Sequence, residues 1–225
     1  MKKPLNISSI KKTKIFIVDD HPILRQGLTL LINNEEDMIV VGEAENAPEA
    51  IKGIEKERPD LAIVDISLEG TSGLELTKNI LVKQPKLLVL IISMYDESVY
   101  VERVVRAGAK GYVNKREVSE HVISAIRKVL DGKIYVSDQW KDKLVHRFSN
   151  KGTATTAPFV DGLSDRELEV LQMTGQGQTT RQIAEELHVS VKTVESHYAN
   201  IKNKLDLKNS HELIQFAVKW CLSEK

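Results

Sequence analysis

Five polar residues stand just behind apolar runs. Asp19 and Asp20 follow Ile15-Phe16-Ile17-Val18, Asp65 follows Leu61-Ala62-Ile63-Val64, Ser93 follows Leu87 to Ile92, and Lys115 comes two residues after Gly111-Tyr112-Val113. If those runs are strands of one parallel sheet, the residues behind them converge at the edge where open α/β sheets bind ligands. Three carboxylates gathered there repel one another unless a cation neutralises them, and hard oxygen donors favour magnesium. A carboxylate beside such a cation can attack a phosphoryl group. A nearby hydroxyl and ammonium could hold the added oxygens. Singly, each has a blander use: Asp20 as a cap before His21-Pro22, Asp65 in a turn, Ser93 as a turn former, Lys115 as a solvated lysine. Five independent arrivals at one edge favour chemistry.

The elements that must position them are legible over residues 14–132. Besides the strands above, Met38 to Gly42 reads as a strand. Helical spacing of apolar residues predicts helices over 22–34, 47–57, 73–83, 99–107 and 118–130, the last stopped by Gly132. Strands alternating with helices imply right-handed crossovers and a parallel sheet covered on both faces. The expected fold is a doubly wound, flavodoxin-like α/β domain with five parallel strands.

Composition bounds the rest. At 225 residues the chain suits two compact domains, and 41% hydrophobic with 28% charged residues excludes collagen-like and wholly disordered classes. Net charge is zero, so nucleic-acid binding has to be argued from where charges sit. The lone Cys221 allows no internal disulfide, and the longest apolar run falls far short of a membrane span. The expectation is a soluble, cytoplasmic protein without a membrane partner.

Beyond Gly132 the pattern changes. Trp140, Leu144, Val145 and Phe148 predict a short helix over 135–148, and Ser149 to Pro158 reads as a flexible linker. Only helices follow. Ser164 and Glu167 form a capping box before Leu168, Val170, Leu171 and Met173. A second helix spans 180–187, the turn His188-Val189-Ser190 follows, and a third helix starts near Val191 with Val194, His197, Ile201 and Leu205 inward. Helix, short turn, helix is a helix-turn-helix pattern. On the third helix, short polar side chains near the start can reach base edges and lysines can neutralise phosphates. Lysines 202, 204 and 208 alone would read as a solvated face, and Glu195 argues mildly against DNA.

Asp19-Asp20, Asp65, Ser93 and Lys115, with Tyr112 three before the lysine, resemble the receiver domain of bacterial two-component response regulators over about Lys14 to Gly132. The resemblance implies that Asp65 accepts a phosphoryl group from a sensor histidine kinase. It implies Mg²⁺ held by Asp20, Asp19, Asp65 and the Ser67 carbonyl. Ser93 and Lys115 would grip the phosphoryl oxygens, and Tyr112 would swing inward as Ser93 moves. Glu69 departs from the usual proline and adds negative charge near the pocket. His21 is expected to be structural or solvent-facing. Tyr95 and Ser67 would border the path of the hydrolytic water.

Leu163-Ser164-x-Arg166-Glu167-x-Glu169-Val170-Leu171, Ile183-Ala184-x-x-Leu187 and Ser190 to His197 are similar to the LuxR-type DNA-binding domain over about Leu163 to Trp220. Gln182 stands for a common glutamate, and His188 where a small turn residue is frequent. The resemblance implies DNA contacts by Arg181, Lys192, Thr193, Glu195, Ser196, His197, Asn200, Lys202 and Lys204.

Together these resemble a NarL/FixJ-type response regulator. The domains would be a basic tail (1–13), receiver (14–132), linker with a short helix (133–160) and helix-turn-helix domain (161–225). The partners would be a sensor histidine kinase, promoter DNA and a second copy of the chain; no turnover enzyme is expected. Two rivals differ in class. A Mg²⁺-dependent phosphatase with an aspartate nucleophile would want Asp-x-Asp after the first strand, where this chain has Asp19-Asp20. A constitutive DNA-binding scaffold would have no use for the complete acidic pocket.

Overall fold

Five parallel strands carry the first half of the chain. The structure is a computed structural model and describes residues 12–138, 140, 141, 160 and 162–223. In chain order the receiver-like half contains β1 (Thr13–Val18), α1 (Pro22–Asn33), β2 (Met38–Ala44), α2 (Ala47–Glu57) and β3 (Leu61–Asp65). The hairpin strands β4 (Ser67–Leu68) and β5 (Thr71–Ser72) follow, then α3 (Gly73–Lys83), β6 (Leu88–Ser93), α4 (Glu97–Arg106), β7 (Gly111–Asn114) and α5 (Val118–Leu130). The sheet order is β2-β1-β3-β6-β7, the doubly wound arrangement expected, with β4 and β5 pairing antiparallel outside it.

Period two explains the layers. Ile15, Ile17, Ile63, Leu90 and Ile92 face one side and pack with Leu28 and Ile32 of α1 and Val122 and Ile126 of α5. Phe16, Val18, Ala62, Val64, Val89 and Ile91 face the other and pack with Ile54, Leu74, Ile80 and Val104. Both faces are buried, so the strands read as continuous apolar runs. Caps set the helix starts: Asn46 accepts from the Glu49 N–H and Ser72 from the Leu74 N–H. His21 precedes α1 without a side-chain cap, so Asp20 is not used as one.

Tyr135 pairs with Gly111 at the free edge of β7 instead of opening a helix. Residues 138, 140 and 141 are helical; the rest of the helix expected over 135–148, the linker from Ser149 to Pro158 and the tail before Lys12 lie outside the described residues.

The C-terminal part comprises α6 (Asp165–Gly175), α7 (Thr180–Glu186), α8 (Val191–Leu205) and α9 (Ser210–Ser223). The box of Ser164 and Glu167 is present, and Thr179 with Gln182 forms a second. Gln182 therefore serves as the commoner glutamate would. His188 carries the turn into α8 with φ +51°, a left-handed conformation that glycine adopts without strain.

Candidate functional site

The strand order makes the pocket. β3 is central, with β1 on one side and β6 on the other, and β7 lies beyond β6. The register places Val18 beside Val64, Asp65 beside Ile92, and Ser93 beside Asn114. Asp19 and Asp20 therefore leave β1 next to Asp65, and Ser93 and Lys115 close the other side. Asp19, Asp65 and Ser93 are buried, at 0%, 1% and 0% exposure. Lys115 Nζ lies 2.7 Å from Asp65 Oδ2 and 2.8 Å from Asp19 Oδ2.

Burial, together with repulsion from Asp19 and Asp20 and against the pull of Lys115, holds the Asp65 carboxyl well above the usual carboxylate range. Burial would lower the Lys115 ammonium, but Asp65 and Asp19 outweigh it and hold it above its ordinary value. Lys115 supplies one positive charge against three carboxylates. One ligand atom from each of Asp19, Asp20, His21 and Asp65 lies within 4.8 Å of the others, so the donor set fits a divalent cation. His21 is mostly exposed; its backbone N–H donates to Asp19 Oδ1 at 2.8 Å, and its Nδ1 is 2.6 Å from Asp20 Oδ1. It orders the acidic pair from outside.

Tyr95 ties the hydroxyl side together. Its N–H donates to Ser93 Oγ at 3.1 Å, and its carbonyl accepts from Tyr112 Oη at 2.6 Å and Asn114 Nδ2 at 3.0 Å. Ser67 Oγ donates to Tyr95 Oη at 3.2 Å, so the two residues bordering the expected water path meet. Tyr112 is already inside, 1% exposed, because its hydroxyl has that carbonyl to bind; an inward swing is not needed to bury it. Sequence reasoning missed Asn114 and Gly73. Gly73, at the start of α3, has its N–H 2.7 Å from the Ile66 carbonyl and its Cα pressed against the Asp65 backbone. A glycine directly after a capping serine was the available signal.

On α8 the residues expected at DNA divide. Lys192, Glu195, Ser196 and Asn200 are exposed, as is Arg181 of α7; Thr193 and Lys202 are partly so. His197 is partly exposed as well, but its Nδ1 is buried without a hydrogen-bond partner, and burial lowers its pKa. Lys204 is exposed but committed, its Nζ 2.7 Å from Glu167 Oε2. Helical periodicity turns His197 toward Arg166 and Glu167 of α6, a face shared with Val194 and Ile201.

Glu169 on α6 is fully buried with Arg166 Nη1 at 2.7 Å, and its other oxygen has no partner. Burial, partly offset by Arg166, pushes its carboxyl up to about 7. A pKa raised on folding means stability is fully present below about 4.5 and is lost as pH rises through 7. Between pH 5 and 8 the wild-type melting transition of the C-terminal helices is expected to weaken, by roughly 3 kcal/mol in all. Glu169→Gln should flatten that dependence. An unchanged slope in the variant would assign it to another group.

Comparison with known proteins follows the same division. Residues 15–127 match the response regulator receiver domain, and residues 161–217 match the bacterial regulatory proteins of the luxR family. The oxygen regulatory protein NreC of Staphylococcus carnosus (strain TM300) is 41% identical over 211 residues, 92% of this chain and 97% of that protein. A LuxR-family response regulator from Aurantimonas sp. SI85-9A1 is 31% identical, covers 62% of this chain and 99% of its own, and superposes with a TM-score of 0.58. RcsB, solved as two dimers bound to two parallel DNAs, is 25% identical over 95% of this chain and 99% of its own, with a TM-score of 0.56.

Proposed function

The chain belongs to the NarL/FixJ-type response regulators, transcription factors that join a receiver to a LuxR-type helix-turn-helix domain, and we propose that its Asp65 takes a phosphoryl group from a sensor histidine kinase. The observation that carries this is the buried Asp65 carboxylate with Lys115 Nζ at 2.7 Å and Asp19 across the same ammonium. Asp65 is the nucleophile. Lys115, held protonated by two carboxylates, neutralises the incoming oxygens, and the Ser93 hydroxyl donates to one of them. Mg²⁺, when bound, would be held by Asp19, Asp20, Asp65 and the Ser67 carbonyl, and would neutralise charge on the transferring group. Tyr112, hydrogen-bonded to the Tyr95 carbonyl, carries movement of Ser93 into the loop beyond it.

We assign residues 14–132 to the receiver, 133–160 to the linker, 161–225 to the DNA-binding domain and 1–13 to a basic tail. The protein acts as a cytoplasmic regulator without turnover of outside substrates; among the described residues no helix is long and apolar enough to cross a membrane. Promoter DNA is bound by the exposed side of α8, and a two-fold dimer reads half-sites about one helical turn apart; that RcsB is solved as dimers bound to DNA supports DNA binding by a dimer.

Incubation with a small phosphodonor and Mg²⁺, followed by intact mass, tests the reading. One phosphoryl adduct per chain is expected. Release of free phosphate from outside substrates would support a phosphatase, and absence of both would support a scaffold.

Replacing Lys192 by Ala should weaken binding to all sequences alike and reduce the salt slope by about one, the signature of one lost phosphate contact. Ser196→Ala and Asn200→Ala should instead change sequence preference. Unaltered affinity and preference in all three would remove α8 as the reader.

A further inference from the structure

All four polar atoms of Asp19 are engaged. Its N–H donates to the Ala44 carbonyl at 3.1 Å, and its Oδ1 accepts from the His21 N–H at 2.8 Å. Lys115 Nζ lies 2.8 Å from its Oδ2. The remaining atom, the carbonyl oxygen, accepts from Arg25 Nη1 at 2.5 Å. That carbonyl belongs to the rigid peptide joining Asp19 to Asp20. Its direction therefore sets where the Asp20 side chain leaves the backbone.

Arg25 lies in the opening turn of α1, where the helix dipole disfavours a cation, and no acidic residue in that turn offsets it. Nor is it a solvated surface charge, since its side chain is 14% exposed. Two carboxylates hold it, one from β2 and one just past the end of that strand. Nε lies 3.6 Å from Glu43 Oε2, and Nη2 lies 3.8 Å from Glu45 Oε2. Glu43 is itself steadied by Thr29 of α1, whose hydroxyl donates to Oε1 at 2.7 Å. The planar guanidinium is thus held from one side and aimed at the Asp19 carbonyl from the other. Among the described residues it forms no ion pair with Asp19, Asp20 or Asp65.

We propose that Arg25 is a positioning residue for the divalent cation: it holds the Asp19–Asp20 peptide so that the Asp20 carboxylate meets the ion beside Asp65. The proposal rests on the acidic cluster binding the ion on which phosphorylation of Asp65 depends. Groups behind a ligand govern metal affinity by on the order of 10–100-fold without touching the ion. Sign separates this role from a charge effect. As a bare cation near three carboxylates, Arg25 would repel a second cation, so its loss would tighten metal binding. As a positioning residue, its loss must loosen it.

The test uses the full chain. Mn²⁺ stands in for Mg²⁺, and the electron paramagnetic resonance signal of free Mn²⁺ reports binding without any phosphodonor. Intact mass reports the initial phosphorylation rate with acetyl phosphate across a Mg²⁺ series, and thermal melts establish folding. Arg25→Ala should raise the Mn²⁺ dissociation constant roughly tenfold. It should raise the Mg²⁺ half-saturation alike, a loss of rate that added Mg²⁺ restores. Arg25→Lys keeps the charge but cannot grip the carbonyl and both glutamates at once, so it should fall between. In an Arg25→Ala background, adding Glu43→Gln should loosen binding no further, since Glu43 acts through the arginine. Unchanged or tighter Mn²⁺ binding in folded Arg25→Ala would overturn the proposal, as would a loss of rate that added Mg²⁺ does not restore. If Arg25→Ala does not fold, Arg25→Lys decides on the same readouts. A wild-type chain that binds no Mn²⁺ would instead sink the metal reading of the pocket itself.

Discussion

Asp65→Asn is expected to abolish the phosphoryl adduct while leaving the fold intact. The amide matches the carboxylate in shape but lacks a charged oxygen able to attack phosphorus. Structure should survive because this carboxyl is already disfavoured as an anion: buried, and repelled by Asp19 and Asp20, it sits well above its ordinary pKa. The substitution removes that repulsion and keeps an oxygen for the Lys115 ammonium, which retains Asp19 at 2.8 Å. Intact mass after phosphodonor and Mg²⁺ should show adduct on wild type and none on the variant, a loss on the order of 10³-fold or more in rate. The melting temperature should equal or exceed that of wild type. Full labelling of the variant would move the acceptor to another residue.

Gly73→Ala is expected to be the most damaging single-methyl change near the pocket. A Cβ there would lie 1.8 Å from the Asp65 carbonyl oxygen, 2.8 Å from its carbonyl carbon and 3.1 Å from Ile66 Cα. All three are backbone atoms, so no rotamer change relieves the clash. The Gly73 N–H bond to the Ile66 carbonyl at 2.7 Å pins the approach from the other side. Relief requires α3 to move off the end of β3, carrying the acceptor out of register with Lys115. Overpacking of this severity destabilises by about 3 kcal/mol or more. Urea unfolding should show that loss, and any folded fraction should label slowly. Gly27→Ala is the control: nothing lies within 4 Å of an added Cβ at this half-buried position of α1, and alanine there should stabilise by about 0.5–1 kcal/mol. Equal stability of wild type and Gly73→Ala would mean that the contact between α3 and β3 is looser than these distances imply.

The acidic pocket was legible because each of its residues ends an apolar run, and a buried parallel strand announces itself locally. Asp19, Asp65 and Ser93 needed only the end of a strand to be located. His197 stands at the margin of two faces: its spacing with Val194 and Ile201 points inward, while the resemblance implies a place at DNA. Its Nδ1 is buried although the residue is partly exposed, and Asn200, one turn on and about 60° around the helix, is exposed. Lys204 reads as a free cation until Glu167 is found 2.7 Å away, thirty-seven positions earlier. Tyr135 reads as the start of an amphipathic helix, yet the bare edge of β7 offers unpaired backbone groups that its own N–H and carbonyl satisfy.

Local physics, read from order alone, determined the element types, the two-domain division and the identity of the strand-end residues. Period-two and helical patterns depend only on neighbours in the chain. Tertiary structure alone decided the strand order that sets Asp65 between Asp19 and Ser93, the inward place of Tyr112 and the pairing of Lys204 with Glu167. Those pairings join residues tens of positions apart, so they depend on how crossovers and domains pack, which no local pattern encodes.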